Sequence, residues 1–257
     1  MNPIEEKIRT KLSEVEAQRG CRILFAVESG SRAWGFASAD SDYDVRFVYA
    51  WPADRYLAVS AVPENIEAGI DEDDIDLSGW ELRKALRLFR KSNGALCEWI
   101  RSPIFYRKNA AVMEEWDRLL DEIFDPKANA IHYLGLARQM SHRIREEEKV
   151  TAKRYLYALR AVLSARFVIS KVSPAPVPFS DLLAQVDVPS EVRSAIDRMI
   201  AGKSRGKEVD GIDREPDIER CLTSEMEALS GTADTLEAVV IDDTRLDAFF
   251  RKTLSDR

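Results

Sequence analysis

The chain has 257 residues and a mass of 29.2 kDa, enough for one large domain or two small domains with a substantial hydrophobic core. Its 45% hydrophobic and 32% charged residues are typical of a folded protein and exclude wholesale disorder. The net charge of −7 excludes a protein coated with positive charge for nucleic-acid binding but leaves room for a local basic patch. No apolar run free of charges reaches the roughly 18 residues that a membrane span needs, so no membrane partner is expected.

The cysteines and the first residues together predict a cytoplasmic protein. Cys21, Cys97 and Cys221 are odd in number and far apart, which argues against a disulfide scaffold or a cysteine-based zinc site. Acidic and basic residues alternate through the first part of the chain, and no signal peptide has that pattern.

The first predicted elements are a helix, a strand, a turn and two further strands. Asn2 and Pro3 open the helix, whose apolar residues recur at helical spacing until Gly20 ends it. Runs of strand-forming residues follow, and Ser29-Gly30-Ser31 supplies the turn after the first of them. The predicted strands are residues 23–27, 43–49 and 75–77.

The rest of the chain predicts helices. The helical period begins at Trp80, and a long amphipathic helix is predicted over residues 155–169. Residues 202–216, rich in Gly, Lys, Arg and Asp, predict a surface loop. We therefore expect an α+β protein, with a mixed β-sheet flanked by helices in residues 1–108 and an all-helical domain in residues 109–257 that forms the other side of a cleft.

Two carboxylates open the second predicted strand. Asp42 and Asp44 are two residues apart, so their side chains point to the same face of the sheet. Adjacent anions repel each other, and Mg²⁺ (or Mn²⁺) is the natural counter-ion because it takes oxygen ligands from one or two carboxylates plus phosphate. The preceding Gly30-Ser31 turn can hold such a phosphate with backbone N–H groups and a hydroxyl. The alternative, a polar turn followed by a solvated strand residue, explains an isolated Asp-x-Asp pair but not this combination.

These residues resemble the signature of the DNA polymerase beta superfamily of nucleotidyltransferases, in which a Gly-Ser turn precedes Asp-x-Asp on the next strand. Within that superfamily the chain is similar to the RNA-repair-pathway DNA polymerase beta family of predicted nucleotidyltransferases. The resemblance implies a nucleotidyltransferase fold and transfer of a nucleoside monophosphate from an NTP to an acceptor hydroxyl, an RNA end. The segments that carry it are Gly30–Gly35 with Ser41–Arg46, Asp76–Leu86, and Lys153–Arg160.

The superfamily signature also implies a third carboxylate on a later strand. Several acidic residues crowd together before residue 77, and alternation along a strand puts Asp74 and Asp76 on one face and Asp73 on the other. We prefer Asp76 because it is the last acid before a predicted Ser78-Gly79 turn, with Asp74 as the alternative. In the implied two-metal arrangement all three carboxylates are catalytic metal ligands, Asp76 for the ion that activates the acceptor hydroxyl. The predicted metal ligands are therefore Asp42, Asp44 and Asp76.

Basic and polar residues are candidates for nucleotide binding. Arg32 lies in the phosphate turn, and Arg46 shares the strand face of Asp42 and Asp44. A stripe of the long predicted helix, separate from its leucines, could contact a triphosphate or a nucleic-acid backbone, or could be a solvated face. The predicted nucleotide-binding residues are Gly30, Ser31, Arg32, Arg46, Lys153, Tyr157 and Arg160.

Two other functions fit the same residues. One is a protein adenylyltransferase of the antitoxin type, which has a protein partner as acceptor. The other is a non-catalytic module that keeps the fold and binds a nucleotide or a partner protein. Label from an NTP that appears on protein would indicate the adenylyltransferase, and label on RNA would indicate transfer to an RNA end. Titration with Mg²⁺ and ATP distinguishes an enzyme from the non-catalytic module.

Overall fold

The computed structural model describes residues 2–205 and 211–255. In them the chain forms a mixed five-stranded sheet flanked by helices, which confirms the predicted α+β class. The strands are β1 (Arg22–Glu28), β2 (Tyr43–Ala50), β3 (Asn65–Ile70), β4 (Ile75–Glu81) and β5 (Phe105–Lys108). The helices in the described residues are α1 (Pro3–Arg19), α2 (Gly30–Trp34), α3 (Ala53–Tyr56), α4 (Leu82–Phe89), α5 (Gly94–Ile100), α6 (Ala110–Ile123), α7 (Pro126–Glu146), α8 (Ala152–Lys171), α9 (Phe179–Leu183), α10 (Ser190–Arg205), α11 (Pro216–Thr235) and α12 (Asp243–Ser255).

The sheet has the strand order β3-β4-β2-β1-β5. β2 and β4 are parallel, and the other neighbours are antiparallel. The parallel pairing brings the first residues of β2 and β4 side by side at one end of the sheet, with Asp44 opposite Asp76. This register decides which acidic residues meet.

Helix α1 begins and ends where the sequence predicts. The Asn2 side chain accepts a hydrogen bond from the Ile4 N–H at 3.3 Å, and Pro3 is the first helical residue. Gly20 ends the helix with φ of 64°, and its N–H donates to the Glu16 carbonyl.

Helices cover both faces of the sheet. α1 packs on one face, where Val45, Phe47 and Tyr49 are fully buried, as the alternation along β2 predicts. α4, α5, α6 and α12 pack on the other face and share one core with Leu24 and Val48. Asp44 lies on the face of β2 opposite Val45, at the end of the sheet where β2 and β4 begin.

A second core lies among the later helices α7 to α11. α8 contains the predicted 155–169 helix and lies in the middle of this core. Phe36, from the segment after α2, enters the same core and packs on Phe179 with ring centroids 5.7 Å apart. α6 and α12 pack in the core of the sheet, so helices beyond residue 108 contribute to that core, and the boundary after residue 108 stays a prediction.

Two strands and one turn were not predicted correctly. β3 lies at the edge of the sheet with only Ile66 buried, and β5 has four residues, so neither produces an apolar pattern. The predicted turn at Ser78-Gly79 is wrong, because β4 continues to Glu81 and α4 begins at Leu82. A Cβ at Gly79 would lie 2.1 Å from Phe47 Cε2, so this glycine makes room for an aromatic ring rather than a turn.

The predicted loop over residues 202–216 is correct only in part. Residues 202–205 belong to the end of α10, and residues 206–210 lie outside the described residues. Residues 211–215 have no helix or strand, although Ile212 pairs with Val150 in an isolated bridge.

Candidate active site

The Gly30 turn lies very close to the carboxylate of Asp44 on β2. The chain leaves β1 after Glu28, and Gly30 has φ of 58°, a left-handed conformation that favours glycine. A Cβ at this position would lie 2.1 Å from Asp44 Oδ2. Ser31 follows with its side chain largely buried, in the short helix α2 rather than in an open turn. The predicted glycine-serine turn and the predicted carboxylate are therefore neighbours in space.

Asp44, Asp76 and Arg46 form an ion-pair cluster. Arg46 Nη2 lies 2.8 Å from Asp44 Oδ1 and 2.7 Å from Asp76 Oδ2, so one nitrogen bridges the two carboxylates. Arg46 Nη1 also donates to the Asp76 carbonyl at 2.9 Å. The three side chains are 18–29% exposed, so the cluster is accessible but not fully solvated. The two anions meet around a cation, which compensates their repulsion.

The surroundings of Asp44 raise the pKa of its carboxyl above the ordinary value of an aspartate. Burial raises the pKa of Asp44, and the Asp76 and Asp42 carboxylates raise it further. Arg46 and Lys153 lower it. Lys153 comes from α8, so the later helices also contribute charge to this site.

Asp42 lies just before β2, and its carboxylate acts electrostatically on Asp44. It is exposed, in the loop that precedes β2. Arg32 holds this loop by donating to the Ser41 carbonyl at 2.6 Å and the Asp42 carbonyl at 3.1 Å. Its guanidinium also stacks on Tyr43, 3.8 Å from the ring centroid. In residues 2–205 and 211–255 no three His, Cys, Asp or Glu side chains form a group able to hold a metal, and the three-ligand set of Asp42, Asp44 and Asp76 stays a prediction.

The alternative third carboxylate, Asp74, lies outside the strand. It is exposed in the turn before β4, with φ of 57°, so the alternation used to predict its direction does not apply there. Asp73 pairs with Lys7 of α1 at 2.6 Å, away from Asp44. Of the acidic run, Asp76 is the residue whose carboxylate lies beside Arg46 and Asp44.

The predicted stripe of α8 reaches the site with two residues. Lys153 acts electrostatically on Asp44, as described above. Tyr157 packs edge-on against Trp34 of α2, with ring centroids 4.7 Å apart. Arg160 is 2% exposed, and its guanidinium donates to Glu98 Oε1 at 2.7 Å and to the Val177 carbonyl at 3.1 Å. The Arg160 side chain forms a buried ion pair with Glu98, and its contact with nucleotide stays a prediction.

Glu98 of α5 is a buried acceptor that the sequence analysis missed. Its carboxylate receives hydrogen bonds from Arg160, from Tyr133 at 2.8 Å and from Trp34 Nε1 at 2.9 Å. These donors belong to α8, α7 and α2, so one carboxylate joins the Gly30 turn to the later helices. A glutamate inside the apolar segment Gly94–Ile100 is the available signal, since a buried charge requires partners.

Glu28 is the second residue that the sequence analysis missed. It is 1% exposed at the end of β1, and its Oε1 accepts the Asp44 backbone N–H at 2.8 Å. The Tyr106 hydroxyl donates to Oε2. Burial raises the pKa of Glu28 to about 7, although both hydrogen bonds lower it. The sign of this role in the sequence is a glutamate directly after the apolar run of residues 23–27.

A glycine-serine turn set against strand carboxylates is the arrangement that the nucleotidyltransferase signature implies. The chain belongs to the RNA repair pathway DNA polymerase beta family, whose sequence model matches residues 4–252. It is 36% identical over 235 residues to the uncharacterized protein YcgL of Bacillus subtilis (strain 168), covering 91% of this chain and 90% of that protein. A solved structure, the nucleotidyltransferase-like protein from Exiguobacterium sibiricum 255-15, covers 99% of this chain and 80% of that one at 11% identity, but its TM-score of 0.31 is too low to support an argument. None of the described helices is long and apolar enough to cross a membrane.

Proposed function

We propose that this protein is a metal-dependent nucleotidyltransferase that transfers a nucleoside monophosphate from an NTP to the hydroxyl of an RNA end. The hydroxyl oxygen forms a bond to the α-phosphorus, the bond between the α- and β-phosphates breaks, and pyrophosphate leaves. The observation that carries the proposal is the juxtaposition of the Gly30 turn with Asp44, which itself faces Asp76 across the parallel β2–β4 pair. Membership of the family supports a nucleotide substrate. The RNA acceptor rests on the family description alone.

The residues present fit a hard divalent cation. Asp44 and Asp76 both lie within 2.8 Å of a single positively charged nitrogen, so their oxygens are spaced to share a cation. Mg²⁺ is held by one or two carboxylates plus substrate phosphates, so two close carboxylates suffice without a closed protein cage. Asp44 and Asp76 would hold the ion, with Asp42 as a further ligand from the exposed loop. When bound, Mg²⁺ supplies charge compensation for the triphosphate and lowers the pKa of the acceptor hydroxyl.

The chain itself supplies phosphate binding and charge. Backbone N–H groups of the Gly30-Ser31 turn would hold a phosphate oxygen, since glycine lets the ligand approach the backbone. Lys153 of α8 would add positive charge on the opposite side of the cleft. Arg46 keeps the carboxylates together and compensates their charge. Most of the rate enhancement would then come from positioning and preorganised charge.

The first test is transfer of label. We expect label from one of the four NTPs, each offered with Mg²⁺ or Mn²⁺, to appear on an RNA end in a mixture of RNA and protein acceptors. Asp44→Asn should abolish this transfer because it removes a charged ligand at the point nearest the turn, while Asp73→Asn, whose carboxylate pairs with Lys7, should leave it intact. Label on protein would favour the adenylyltransferase, and nucleotide binding without transfer would favour a binding module.

The same assay tests the assignment of the third carboxylate. Asp76→Asn should lower the single-turnover rate by on the order of 10²–10³-fold with little change in NTP affinity, the pattern of an interaction made in the transition state. Asp74→Asn should behave like the wild type, since Asp74 is exposed outside β4. Thermal melting of both variants checks that folding is preserved. Loss of activity in Asp74→Asn alone would contradict the assignment.

A further inference from the structure

Every polar group of Glu28 has a hydrogen-bond partner. Its backbone N–H donates to the Ile104 carbonyl at 3.0 Å, and its carbonyl accepts from the Ser102 hydroxyl at 2.7 Å. Its carboxylate accepts from Tyr106 and from the Asp44 backbone N–H. At 1% exposure Glu28 cannot touch a substrate, so any influence on the site passes through its neighbours.

The hydrogen bond to Asp44 occurs where β1 leaves the sheet. The Ser29 N–H donates to the Asp44 carbonyl at 2.9 Å, after which the chain turns away at Gly30. The Asp44 N–H bonds instead to the side chain of Glu28. On its other side, Asp44 Oδ2 lies 2.1 Å from the position that a Cβ of residue 30 would occupy. Asp44 is therefore held between the side chain of residue 28 and the main chain two residues later.

We propose that Glu28 is a positioning residue that fixes the Gly30-Ser31 turn at a set distance from the Asp44 carboxylate. Its backbone leads directly into the turn, and its side chain holds the strand that carries Asp44. The inference rests on the proposed function, in which the turn binds phosphate and Asp44 binds the metal. A fixed separation between the turn and Asp44 makes metal and nucleotide bind cooperatively. Each of them increases the affinity for the other because the two sites are already at the right distance.

Glu81 provides a matched control within the same sheet. It is also a strand-end glutamate at 1% exposure, and it accepts hydrogen bonds from the Tyr56 hydroxyl at 2.6 Å and from the Arg83 N–H at 2.7 Å. It lies five residues beyond Asp76 along β4, roughly 17 Å away at the rise of an extended strand. Substitution of Glu81 therefore removes a buried strand-end carboxylate that, like Glu28, accepts from a tyrosine hydroxyl and a backbone N–H, and it leaves the Gly30 turn unchanged.

The test measures the coupling between metal and nucleotide instead of activity. The free Mn²⁺ signal in electron paramagnetic resonance gives the Mn²⁺ affinity of the protein with and without α,β-methylene ATP. A titration without protein measures the Mn²⁺ that the nucleotide binds by itself, and this amount is subtracted. The ratio of the two corrected affinities is the coupling. The proteins compared are the full-length wild type, Glu28→Ala, Glu28→Gln, Tyr106→Phe, Glu81→Ala and Tyr56→Phe.

We expect Glu28→Ala to reduce the coupling about 10–100-fold, the usual cost of losing a residue that orients a metal ligand. Glu28→Gln should retain it, since the amide oxygen can accept the Asp44 N–H and the amide nitrogen can donate to the Tyr106 oxygen. Tyr106→Phe should give an intermediate loss and decides the question if Glu28→Ala fails to fold. Glu81→Ala and Tyr56→Phe should keep the wild-type coupling.

Two results would overturn the inference while leaving the proposed function intact. One is wild-type coupling in Glu28→Ala and Tyr106→Phe. The other is an equal loss in the Glu81 and Tyr56 variants, which would show a general effect of stability. Wild-type protein that binds neither Mn²⁺ nor the nucleotide analogue would overturn the proposed function and, with it, the inference.

Discussion

At the scale of single residues, the candidate site depends on the absence of a side chain at Gly30. Asp44 Oδ2 occupies the space that a Cβ would need, 2.1 Å away. The backbone there also has φ of 58°, so a larger residue would be strained twice, once by conformation and once by contact. The carboxylate and the turn can be neighbours only while this position is glycine.

Gly35 separates the two effects experimentally. It has φ of 84° at the end of α2, but among the described residues no atom beyond its two chain neighbours lies within 4 Å of where its Cβ would be. We expect Gly35→Ala to cost about 1–2 kcal/mol of unfolding free energy, from conformation alone, and to keep nucleotidyl transfer. Gly30→Ala should cost more and abolish transfer, because the new methyl group displaces Asp44. Urea unfolding and the transfer assay measure both outcomes, and equal behaviour of the two variants would contradict the close approach.

At the scale of elements, Glu98 determines how α8 meets the Gly30 turn. The carboxylate accepts from Arg160 of α8, Tyr133 of α7 and Trp34 of α2. The Arg160 guanidinium also stacks on Trp34, 4.3 Å from the ring centroid. The later helices are thus docked on the turn through buried polar contacts, and Lys153 acts electrostatically on Asp44 while Tyr157 packs on Trp34.

Removing one partner of this buried pair should be costly. We expect Arg160→Met to lower the unfolding free energy by about 3–5 kcal/mol, because it leaves the Glu98 carboxylate buried without its cation. Arg166 of the same helix is the control: it pairs with Glu225 at 3.0 Å, and its side chain is 36% exposed. Arg166→Met should cost no more than about 1 kcal/mol. Urea denaturation of both variants makes the comparison, and similar losses would show that burial of the Arg160 pair has no special weight.

At the scale of the whole molecule, the last described helix, α12, packs in the core that α4, α5 and α6 form against the sheet. Phe249 of α12 is buried against Trp116 of α6, with ring centroids 5.3 Å apart. Trp116 in turn packs against Phe25 of β1, so the last described helix contributes to the core of the sheet. The structure that carries the candidate site therefore includes residues from both ends of the chain.

This closure predicts that a substitution in α12 destabilises the sheet. Phe249→Ala should lower the unfolding free energy by about 3–5 kcal/mol, the usual cost of deleting a buried phenylalanine ring. Val240→Ala, at a side chain 97% exposed just before the helix, should change it by less than about 0.5 kcal/mol. Tryptophan fluorescence during urea unfolding follows the five tryptophans of the chain, of which Trp116 is fully buried beside Phe249. An unchanged midpoint in Phe249→Ala would show that α12 is not part of the sheet's cooperative unit.

Local signals in the sequence were sufficient for several parts of the fold and the site. The cap at Asn2, the stop at Gly20 and the alternation of Val45, Phe47 and Tyr49 each depend on residues close together in the chain. The proximity of the Gly30 turn to the strand carboxylates also follows from short range, because few residues separate them. β3 and β5 could not be predicted, since an exposed edge strand and a four-residue strand lack an apolar pattern.

The sequence by itself determined the α+β class, the glycine-serine turn, the strand that carries Asp44 and the family resemblance. Only the tertiary structure decided that Asp76 and not Asp74 faces Asp44. That choice depends on the register between β2 and β4, which are neighbours in the sheet although β3 lies between them in the sequence. Burial likewise decided that Arg160 pairs with Glu98 and that Glu28 holds Asp44. The physical reason is range: conformational preferences act over a few residues, whereas register and burial follow from packing between distant segments.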